Sequence, residues 1–492
     1  MTGAAAGVAA AALALIPSHG LQHALKAHWL KPADVTHYRA VLYRAERDIR
    51  RLPKLRAQIL ERQLAQLAPR SDSYIRPRAL ALFSQLEVNC EYLETHRVPD
   101  ERVDVPGDDG VVYRWFPNEG LEFHPLASFS ALDNTPQPDL AQALVDRGIP
   151  RDGTLVWEYA FRFGSGHPPW TSGMAQAVAA QALARAGFDD AARRAYLAVP
   201  RLTMQTSAGP WIRLYSFTRE VVLNAQLQTV VSLFDYGATG LASRMLTAAQ
   251  TLFPRFDTGD WSRYELGGAY ATRSYQEFVT TLLGKVASAT QDPFWQTTAA
   301  RFKAYLYSPP QVTQTTPPPT AWPVPADGFL DTVPVAFMLS QRASVTVAIA
   351  GVVNTYRMAA GAHVITWKPP ATLPPGTYPV QVSAVTYAGN RSTAQLAPVV
   401  VAWDQAPPPV TATVADGTLS WQSTDAGTPS LQLAIDLVDP AGVQPPQTLD
   451  LGYHSVSGSA PVTLPPGTWQ ATLRAANSAG LTTSVDLGQL QG

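Results

Sequence analysis

The stretch WEYAFRFGSGHPPWTSGMAQAVAAQALARAG, residues 157–187, joins a loop rich in Gly, Pro and aromatic residues to an Ala-rich segment. Thr171 or Ser172 is placed to cap a helix there, because a hydroxyl oxygen accepts from the first free backbone amides. Gly187 is placed to end that helix, because glycine readily adopts the left-handed conformation found after a helix C-terminus. The stretch therefore predicts a loop feeding an α-helix.

Helical patterns continue downstream of this stretch, at 189–202, 219–237, 240–253, 270–290 and 292–307. Upstream, the alternating segment 110–129 turns at Pro117–Gly120 and predicts a short hairpin or loop that feeds another helix. Six or more helices joined by loops that carry Trp, Tyr and Arg predict an α/α toroid. The loops at one rim of such a fold build a cleft, where aromatic faces stack on sugars and Arg or Asn side chains hold carboxylates and hydroxyls.

The N-terminal region also carries helical periodicity, with a break predicted near Pro53 between two amphipathic helices. Before it, residues 4–16 form an apolar run of 13 residues, which fits the core of a signal peptide and is too short to span a membrane. No Lys or Arg precedes Lys26, so residues 1–20 are either a signal peptide or an ordinary Ala-rich helix. We expect a secreted or cell-surface protein, because Cys90 is the sole cysteine and the C-terminal part resembles extracellular modules.

The C-terminal part differs sharply in composition, since residues 309–492 hold 24 of the 42 prolines and contain no Glu. Within it, LPPGTYPVQVSAVTYAGN (373–390) matches LPPGTWQATLRAANSAG (464–480) at an offset of 91 residues. Period-2 alternation after each Pro-Pro-Gly turn predicts two β-sandwiches, and both resemble bacterial immunoglobulin-like or fibronectin-III-like modules. They are spacers or stability modules, or a carbohydrate-binding surface that uses exposed Trp403, Trp421 or Trp469.

The length of 492 residues is too great for one core and suggests about three domains. With 37 Lys and Arg against 38 Asp and Glu, the balance argues against a nucleic-acid-binding protein. The predicted division is 1–20, a signal peptide or helix; 21–109, an N-terminal helical region; 110–308, the toroid; 309–325, a Pro/Thr-rich linker; 326–403, the first sandwich; 404–411, a second linker; and 412–492, the second sandwich.

Several blocks within the helical part resemble the C-terminal domain of D-glucuronyl C5-epimerases. The blocks occur in the family's order over about 200 residues: YRWFPNEGLEFHPL (113–126), PPWTSGMAQAVAAQALARAG (168–187), WIRLYSFTREVVLNAQLQTVVSLFDYG (211–237), WSRYELGG (261–268) and SYQEFVTTLL (274–283). The resemblance implies epimerisation at C5 of a uronic acid within a polysaccharide. Such chemistry removes a proton beside a carboxylate on one face and returns one on the other, so it needs two acid/base groups.

The resemblance implies that three tyrosines carry this chemistry, namely Tyr215, Tyr264 and Tyr275. A tyrosinate base needs a nearby cation because its ordinary pKa is near 10. The predicted substrate-binding residues are Arg213, Asn224, Arg263, Arg273, Trp170, Trp211 and His167, with the two tryptophans as stacking platforms. His124 is expected to be a surface or loop residue rather than a catalytic one.

The motifs depart from the family at Arg213-Leu214, Gly267 and Gln276, which stand for an acidic pair, an Arg and a His. These departures leave catalytic competence and the polysaccharide open. A polysaccharide lyase that shares the C5 proton abstraction, and a non-catalytic glycan-binding surface protein, are the alternatives. No metal, P-loop or dinucleotide motif occurs, so neither a cofactor nor a nucleotide is predicted. Family members of known architecture suggest a homodimer.

Overall fold

A computed structural model describes the backbone of residues 2–492 and the side chains from residue 14 onward. It divides into two compact units, a helical unit that ends at Leu306 and a β unit from Tyr307 to Gly492. The apolar run 4–16 lies in the first helix, although its side chains before residue 14 are outside the described part. No helix in the described part of the chain is both long and apolar enough to cross a membrane.

The helical unit is built mainly from α-helices, with short strands between some of them. The helices are α1 (Thr2–Lys26), α2 (Pro32–Arg51), α3 (Lys54–Leu67), α4 (Arg76–Thr95), α5 (Pro125–Asn134), α6 (Pro138–Asp146), α7 (Gly173–Arg185), α8 (Asp189–Tyr196), α9 (Leu223–Tyr236), α10 (Thr239–Leu252), α11 (Arg273–Thr290) and α12 (Pro293–Tyr307). The strands are β1 (Asp104–Pro106), β2 (Val112–Phe116), β3 (Gly120–Phe123), β4 (Ile149–Arg151), β5 (Thr154–Val156), β6 (Thr203–Thr206) and β7 (Gly209–Ile212).

The sequence signals for helix ends act as predicted. Pro53 separates α2 from α3, since proline supplies no amide proton and clashes with a preceding helical turn. The Ser172 hydroxyl accepts from the Ala175 amide at 3.2 Å and caps α7. Gly187 follows α7 with φ +82°, a conformation that glycine adopts without strain.

Helix α7 lies at the centre of the helical unit. Every residue from Gly173 to Leu183 is buried, because small Ala side chains let neighbouring helices approach on all sides. Helix α7 packs against α5, α8 and α9, and α9 in turn packs against α10 and α11. Successive odd-numbered helices from α5 to α11 are therefore neighbours, so their N-terminal ends are brought near one another.

The β unit contains four sheets. Its strands are β8 (Val312–Thr316), β9 (Ala321–Val324), β10 (Val333–Leu339), β11 (Ala343–Ile349), β12 (Val352–Met358), β13 (Gly361–Trp367), β14 (Gly376–Val385), β15 (Arg391–Trp403), β16 (Val410–Ala415), β17 (Thr418–Ser423), β18 (Ser430–Val438), β19 (Gln447–Ser455), β20 (Ser457–Pro461), β21 (Thr468–Ala476) and β22 (Thr482–Gln491). The first two sheets have the orders β13-β10-β8 and β12-β11-β14-β15-β9, and the other two β16-β17-β20 and β19-β18-β21-β22. A helical region followed by sandwich-like β-sheets is thus the observed architecture.

The two copies of the sequence repeat form equivalent strands, β14 and β21, each after a Pro-Pro-Gly turn. In the first copy the Tyr378 hydroxyl donates to the Pro374 carbonyl at 2.7 Å. In the second the Trp469 indole donates to the Pro465 carbonyl at 2.9 Å. The shared aromatic position therefore ties each strand to its own turn.

The idea that exposed tryptophans of the sandwiches bind carbohydrate is wrong for Trp421 and Trp469. Trp421 and Trp469 are buried in the second core, and Trp403 is half-buried with its indole donating to the Leu373 carbonyl. Large indole rings carry most of the apolar area that a small sandwich buries, so packing takes precedence over exposure.

Candidate functional site

The helical unit contains a cavity of about 400 Å³. Its walls come from the β2–β3 hairpin, the loop between β5 and α7, the N-terminal ends of α5, α7 and α9, and the loop before α11. Tyr215, Tyr264, Asn224 and Trp170, all predicted as site residues, line this cavity. A volume of this size lies within the range of small-molecule and sugar sites.

One wall of the cavity is aromatic. The rings of Tyr159 and Trp170 stack with centroids 4.0 Å apart, and the Trp170 indole donates to the Phe161 carbonyl at 2.8 Å. Tyr215 meets Trp170 edge-on at 5.4 Å and stacks on Phe217 at 5.5 Å. These contacts hold the Tyr215 ring in one orientation, because each neighbour blocks a different rotation.

Two of the predicted catalytic tyrosines interact directly. Burial raises the pKa of both phenols, and the two also affect each other, since Tyr264 raises the pKa of Tyr215 whereas Tyr215 lowers that of Tyr264. Tyr264 is 36% exposed at the mouth of the cavity, whereas Tyr215 is half-buried. Tyr215 is therefore the inner phenol of the cavity and Tyr264 the outer one.

Tyr275 occupies a different position from this pair. Its hydroxyl donates to the Tyr264 carbonyl at 3.0 Å and accepts from the Asn224 backbone amide at 3.1 Å. It is not among the residues that line the cavity, although its ring centroid is 4.9 Å from that of Tyr264. Tyr275 thus joins the loop before α11 to the start of α9.

Burial raises the pKa of all three tyrosines above their ordinary value of 10, so each phenol is protonated at neutral pH. The negative charge of Glu220 raises the pKa of Tyr215 and Tyr264 further. Within the part of the chain that the structure describes, no cation is found among the groups that shift these pKa values. The predicted cationic neighbours of the tyrosines are therefore wrong for this arrangement.

The three predicted arginines lie elsewhere for simple geometric reasons. Arg273 is exposed on α11 and pairs with Glu277 at 3.0 Å. Arg263 donates to the Gly268 carbonyl and its guanidinium lies 5.9 Å from the Tyr270 ring centre. Arg213 is half-buried, and its Nε is buried without a hydrogen-bond partner among the described residues. None of the three lines the cavity.

Trp211 and His167 also lie away from the cavity. Trp211 is fully buried, stacks on Phe256 at 5.8 Å and donates to the Val222 carbonyl, so it is a core residue and not a stacking platform. His167 is exposed on the loop before α7. Asn224 does line the cavity, and its side-chain oxygen is buried with no partner in the described structure, which leaves one acceptor available to a ligand.

Arg114 and His124 are among the cavity residues that were not predicted as site residues from the sequence. Arg114 lies on β2 and His124 caps α5, accepting from the Ala127 amide through Nδ1 at 3.0 Å. His124 lies in the short connection between β3 and α5, as a loop residue would, but it is only 7% exposed and so is not on the surface. The alternation of the 110–129 segment was the sequence signal that could have drawn attention to this hairpin, since it places Arg114 and Glu122 on one face of it.

Comparison with known proteins bears on this part of the chain. Residues 151–304 match the C-terminal domain of D-glucuronyl C5-epimerases. The family model is described as "D-glucuronyl C5-epimerase C-terminus", and the match spans about a third of the chain. It confirms the resemblance drawn from the motifs and associates the helical unit with uronic-acid epimerisation. No curated protein matches the sequence.

Departures from the epimerase motifs have identifiable structural settings. Gly267 stands at the position of a family arginine and has φ +79°, a turn conformation with open space on the side where a Cβ atom would project. Gln276 stands at the position of a family histidine and is fully buried, with both amide atoms unpaired among the described residues. Neither position supplies a charged group to the cavity.

Similar solved structures relate to the β unit. The fibronectin(III)-like modules of Clostridium thermocellum CbhA are 14% identical over 37% of this chain and 93% of theirs, with a TM-score of 0.17. The FN1–FN3 domains of chicken CNTN1 are 18% identical over 37% of this chain and 68% of theirs, with a TM-score of 0.18. Bacteroides ovatus SGBP-B, solved with a mixed-linkage heptasaccharide, is 14% identical over 38% of this chain and 47% of its own, with a TM-score of 0.15.

Proposed function

We propose that the helical unit is a uronic-acid C5-epimerase that acts on a polysaccharide. The observation that carries this proposal is the placement of Tyr215 and Tyr264 together in one cavity, which is formed largely by the family-matched segment. Phenols in a partly enclosed, aromatic cavity suit proton transfer at a carbon next to a carboxylate. The substrate class is a chain that contains glucuronate or iduronate.

In the proposed reaction, the C5–H bond breaks and its electron pair moves into a C5–C6 double bond of the carboxylate-derived enolate. One of the two phenols must first lose its proton to solvent, and the C5 proton then goes to that tyrosinate oxygen on one face of the ring. The neutral phenol on the other face then gives a proton to C5, its own oxygen takes the charge, and configuration is inverted. The product differs from the substrate only at C5, so no other reactant is consumed.

Tyr264 is the better candidate for the base. Burial raises the pKa of both phenols, but Tyr215 acts to lower the pKa of Tyr264, whereas Tyr264 raises that of Tyr215 further. Tyr264 is also more exposed, so the charge of its ionised form is better solvated. Tyr215 then serves as the phenol that returns a proton, and Tyr275 holds the Tyr264 backbone in place.

Epimerisation requires the two phenols to reach opposite faces of one sugar ring. In this structure both phenols line one cavity and affect each other's pKa, so the ring must enter between them. An elimination reaction needs no such separation, because one phenol can take the C5 proton while its neighbour protonates the departing C4 oxygen. The Tyr215–Tyr264 contact therefore supports a polysaccharide lyase as the second candidate function.

One experiment tests both candidates. The full chain is incubated in heavy water with polysaccharides that contain glucuronate, and the products are analysed by NMR and ultraviolet absorbance. Deuterium at C5 in an intact polymer supports the epimerase, whereas chain cleavage with an unsaturated uronate supports the lyase. Glycan binding with neither product would contradict both and leave a glycan-binding surface protein.

Variants connect the reaction to the cavity. Tyr264→Phe and Tyr215→Phe should each abolish C5 exchange, because each removes one acid/base oxygen and leaves the ring packing intact. Tyr236→Phe is the matched control, since Tyr236 is a phenol of the same unit at the end of α9, outside the cavity. Full exchange in both cavity variants would remove these tyrosines from the mechanism.

We also propose that α5 to α12 form an α/α toroid. Support comes from the contacts of α5, α7, α9 and α11 with one another in sequence order, with α8 and α10 packed beside them. Export of the protein and a homodimeric state stay proposals. Cell fractionation and analytical ultracentrifugation of the full chain test them.

A further inference from the structure

Arg114 and His124 face each other on the wall of the cavity formed by the β2–β3 hairpin. Arg114 Nη1 lies 3.1 Å from His124 Nε2. His124 Nδ1 accepts a hydrogen bond from the Ala127 amide at the start of α5, so this nitrogen carries a lone pair and no proton. The proton of the neutral imidazole must therefore be on Nε2, the nitrogen that faces Arg114.

The imidazole is neutral in this setting. Burial, together with the positive charge of Arg114, lowers the pKa of His124 to about 3. His124 Nε2–H and the Arg114 guanidinium N–H groups are then both donors, and they lie close together on the cavity wall. Two donors at this distance cannot bond each other, so an acceptor oxygen placed beside both would satisfy them together.

The position of Arg114 is fixed by a second contact. Its Nε and Nη2 atoms donate to the two oxygens of Asp104 at 2.6 and 2.7 Å, which leaves Nη1 for the cavity. These two hydrogen bonds hold the guanidinium in one orientation, and the Arg114 side chain is only 13% exposed. A ligand that binds Nη1 therefore meets a preorganised donor.

Other charges surround this pair. Arg102 also lines the cavity and lies 4.0 Å from Asp104, and its side chain is exposed. Asp100 and Glu101 line the outer part of the cavity and are exposed, where water and salt weaken their repulsion of an anion. Arg114 and His124, which are more buried than these acidic residues, would therefore determine which ligand binds.

We propose that Arg114 and His124 form an oxyanion subsite that takes the carboxylate of a uronosyl residue. This inference rests on the proposed function, since it names the group that recognises its substrate. A carboxylate held here neutralises part of the charge that develops when C5 loses its proton. It also keeps C5 in the same cavity as Tyr215 and Tyr264. Arg114 and His124 are binding residues, and neither transfers a proton.

The test compares two ligands that differ in one group. A glucuronate-containing oligosaccharide and its carboxyl-reduced counterpart are titrated calorimetrically into the wild-type full chain and into Arg114→Gln and His124→Asn. Asparagine is a good helix N-cap, so His124→Asn keeps the cap on α5 and loses only the Nε2–H donor. Arg273→Gln is the control for a lost positive charge outside the cavity.

The wild type should bind the uronate form about tenfold to hundredfold more tightly than the reduced form, the effect of charge-assisted hydrogen bonds. Arg114→Gln should remove this preference, His124→Asn should reduce it, and Arg273→Gln should leave it unchanged. An unchanged preference in both Arg114→Gln and His124→Asn would overturn the subsite.

A separate readout keeps this test independent of turnover. Nitrogen NMR of the His124 ring should show Nε2 shifting on addition of sodium glucuronate, with a smaller shift at equal concentrations of sodium sulfate. If the polysaccharide is not converted but the shift occurs, the proposed function fails and the subsite stands. No shift with glucuronate, or an equal shift with sulfate, would contradict a uronate subsite.

Discussion

Replacing Glu122 by glutamine should make the helical unit more resistant to alkaline pH. Glu122 lies on β3, is fully buried, and accepts from the Gln63 and Gln66 amides through Oε1 at 2.7 Å each. Its other oxygen is buried with no partner among the described residues. Burial, which outweighs the lowering effect of the glutamine amides, raises the pKa of Glu122 from 4.5 to about 8. The group is therefore uncharged in the native protein at neutral pH.

The sign of the effect follows from proton binding. Between pH 4.5 and 8 the native state holds a proton that the unfolded chain has released, so the free energy of unfolding falls as pH rises through this window. From pH 6 to pH 9 the free energy of unfolding of the wild type should therefore fall by the equivalent of about two pKa units, or about 3 kcal/mol at 1.36 kcal/mol per unit. Glutamine cannot ionise and keeps the oxygen that accepts from Gln63 and Gln66. Glu122→Gln should therefore gain about 3 kcal/mol over wild type across this range.

The assay is urea unfolding of the full chain at pH 6, 7, 8 and 9, followed by circular dichroism at 222 nm, which reports mainly the helical unit. Glu61→Gln is the matched control, because Glu61 is a partly exposed glutamate on α3. The difference between Glu122→Gln and wild type should widen with pH, whereas that of the control should stay constant. A constant difference for Glu122→Gln would refute the buried, protonated state.

Three other variants test packing and positioning. Ser172→Ala removes the hydroxyl that caps α7 and should lower the free energy of unfolding of the helical unit by about 1 kcal/mol in the same urea assay. Tyr275→Phe leaves the Tyr264 carbonyl and Asn224 amide without this partner, so C5 exchange should slow and stability should fall by about 1–3 kcal/mol. Complete loss of exchange with an intact fold would instead make Tyr275 catalytic. Trp469→Ala empties the core of the second sandwich and should cost about 3–5 kcal/mol by differential scanning calorimetry of the full chain, with enzymatic exchange unchanged.

Much of the secondary structure was predictable because its signals are local. The segment 240–253 was predicted helical and α10 is Thr239–Leu252, and the segment 270–290 contains α11, Arg273–Thr290. The two Pro-Pro-Gly repeats lead into β14 and β21. Caps, prolines and hydrophobic periods act within a few residues, so a single sequence carries them.

The candidate site was only partly predictable. Tyr215, Tyr264 and Asn224 were named from motifs and line one cavity, but Tyr275 lies behind it and Trp211 is a core residue. A motif preserves the order of residues along the chain and says little about which atom of each side chain reaches the cavity. Burial of Trp211 against Phe256 depends on how two distant loops pack, which no local pattern encodes.

By itself, the sequence determined the division into a helical part and two β-sandwich repeats, the helix ends and the epimerase resemblance, because these depend on neighbouring residues and residue order. Only the tertiary structure decided which polar groups share a cavity with the phenols. It placed Arg114 and His124 on the cavity wall, about 90 to 160 residues earlier in the chain than the expected Arg213, Arg263 and Arg273. Contacts across such separations depend on the packing of whole elements, and the burial that results is what raises the tyrosine pKa values and lowers that of His124.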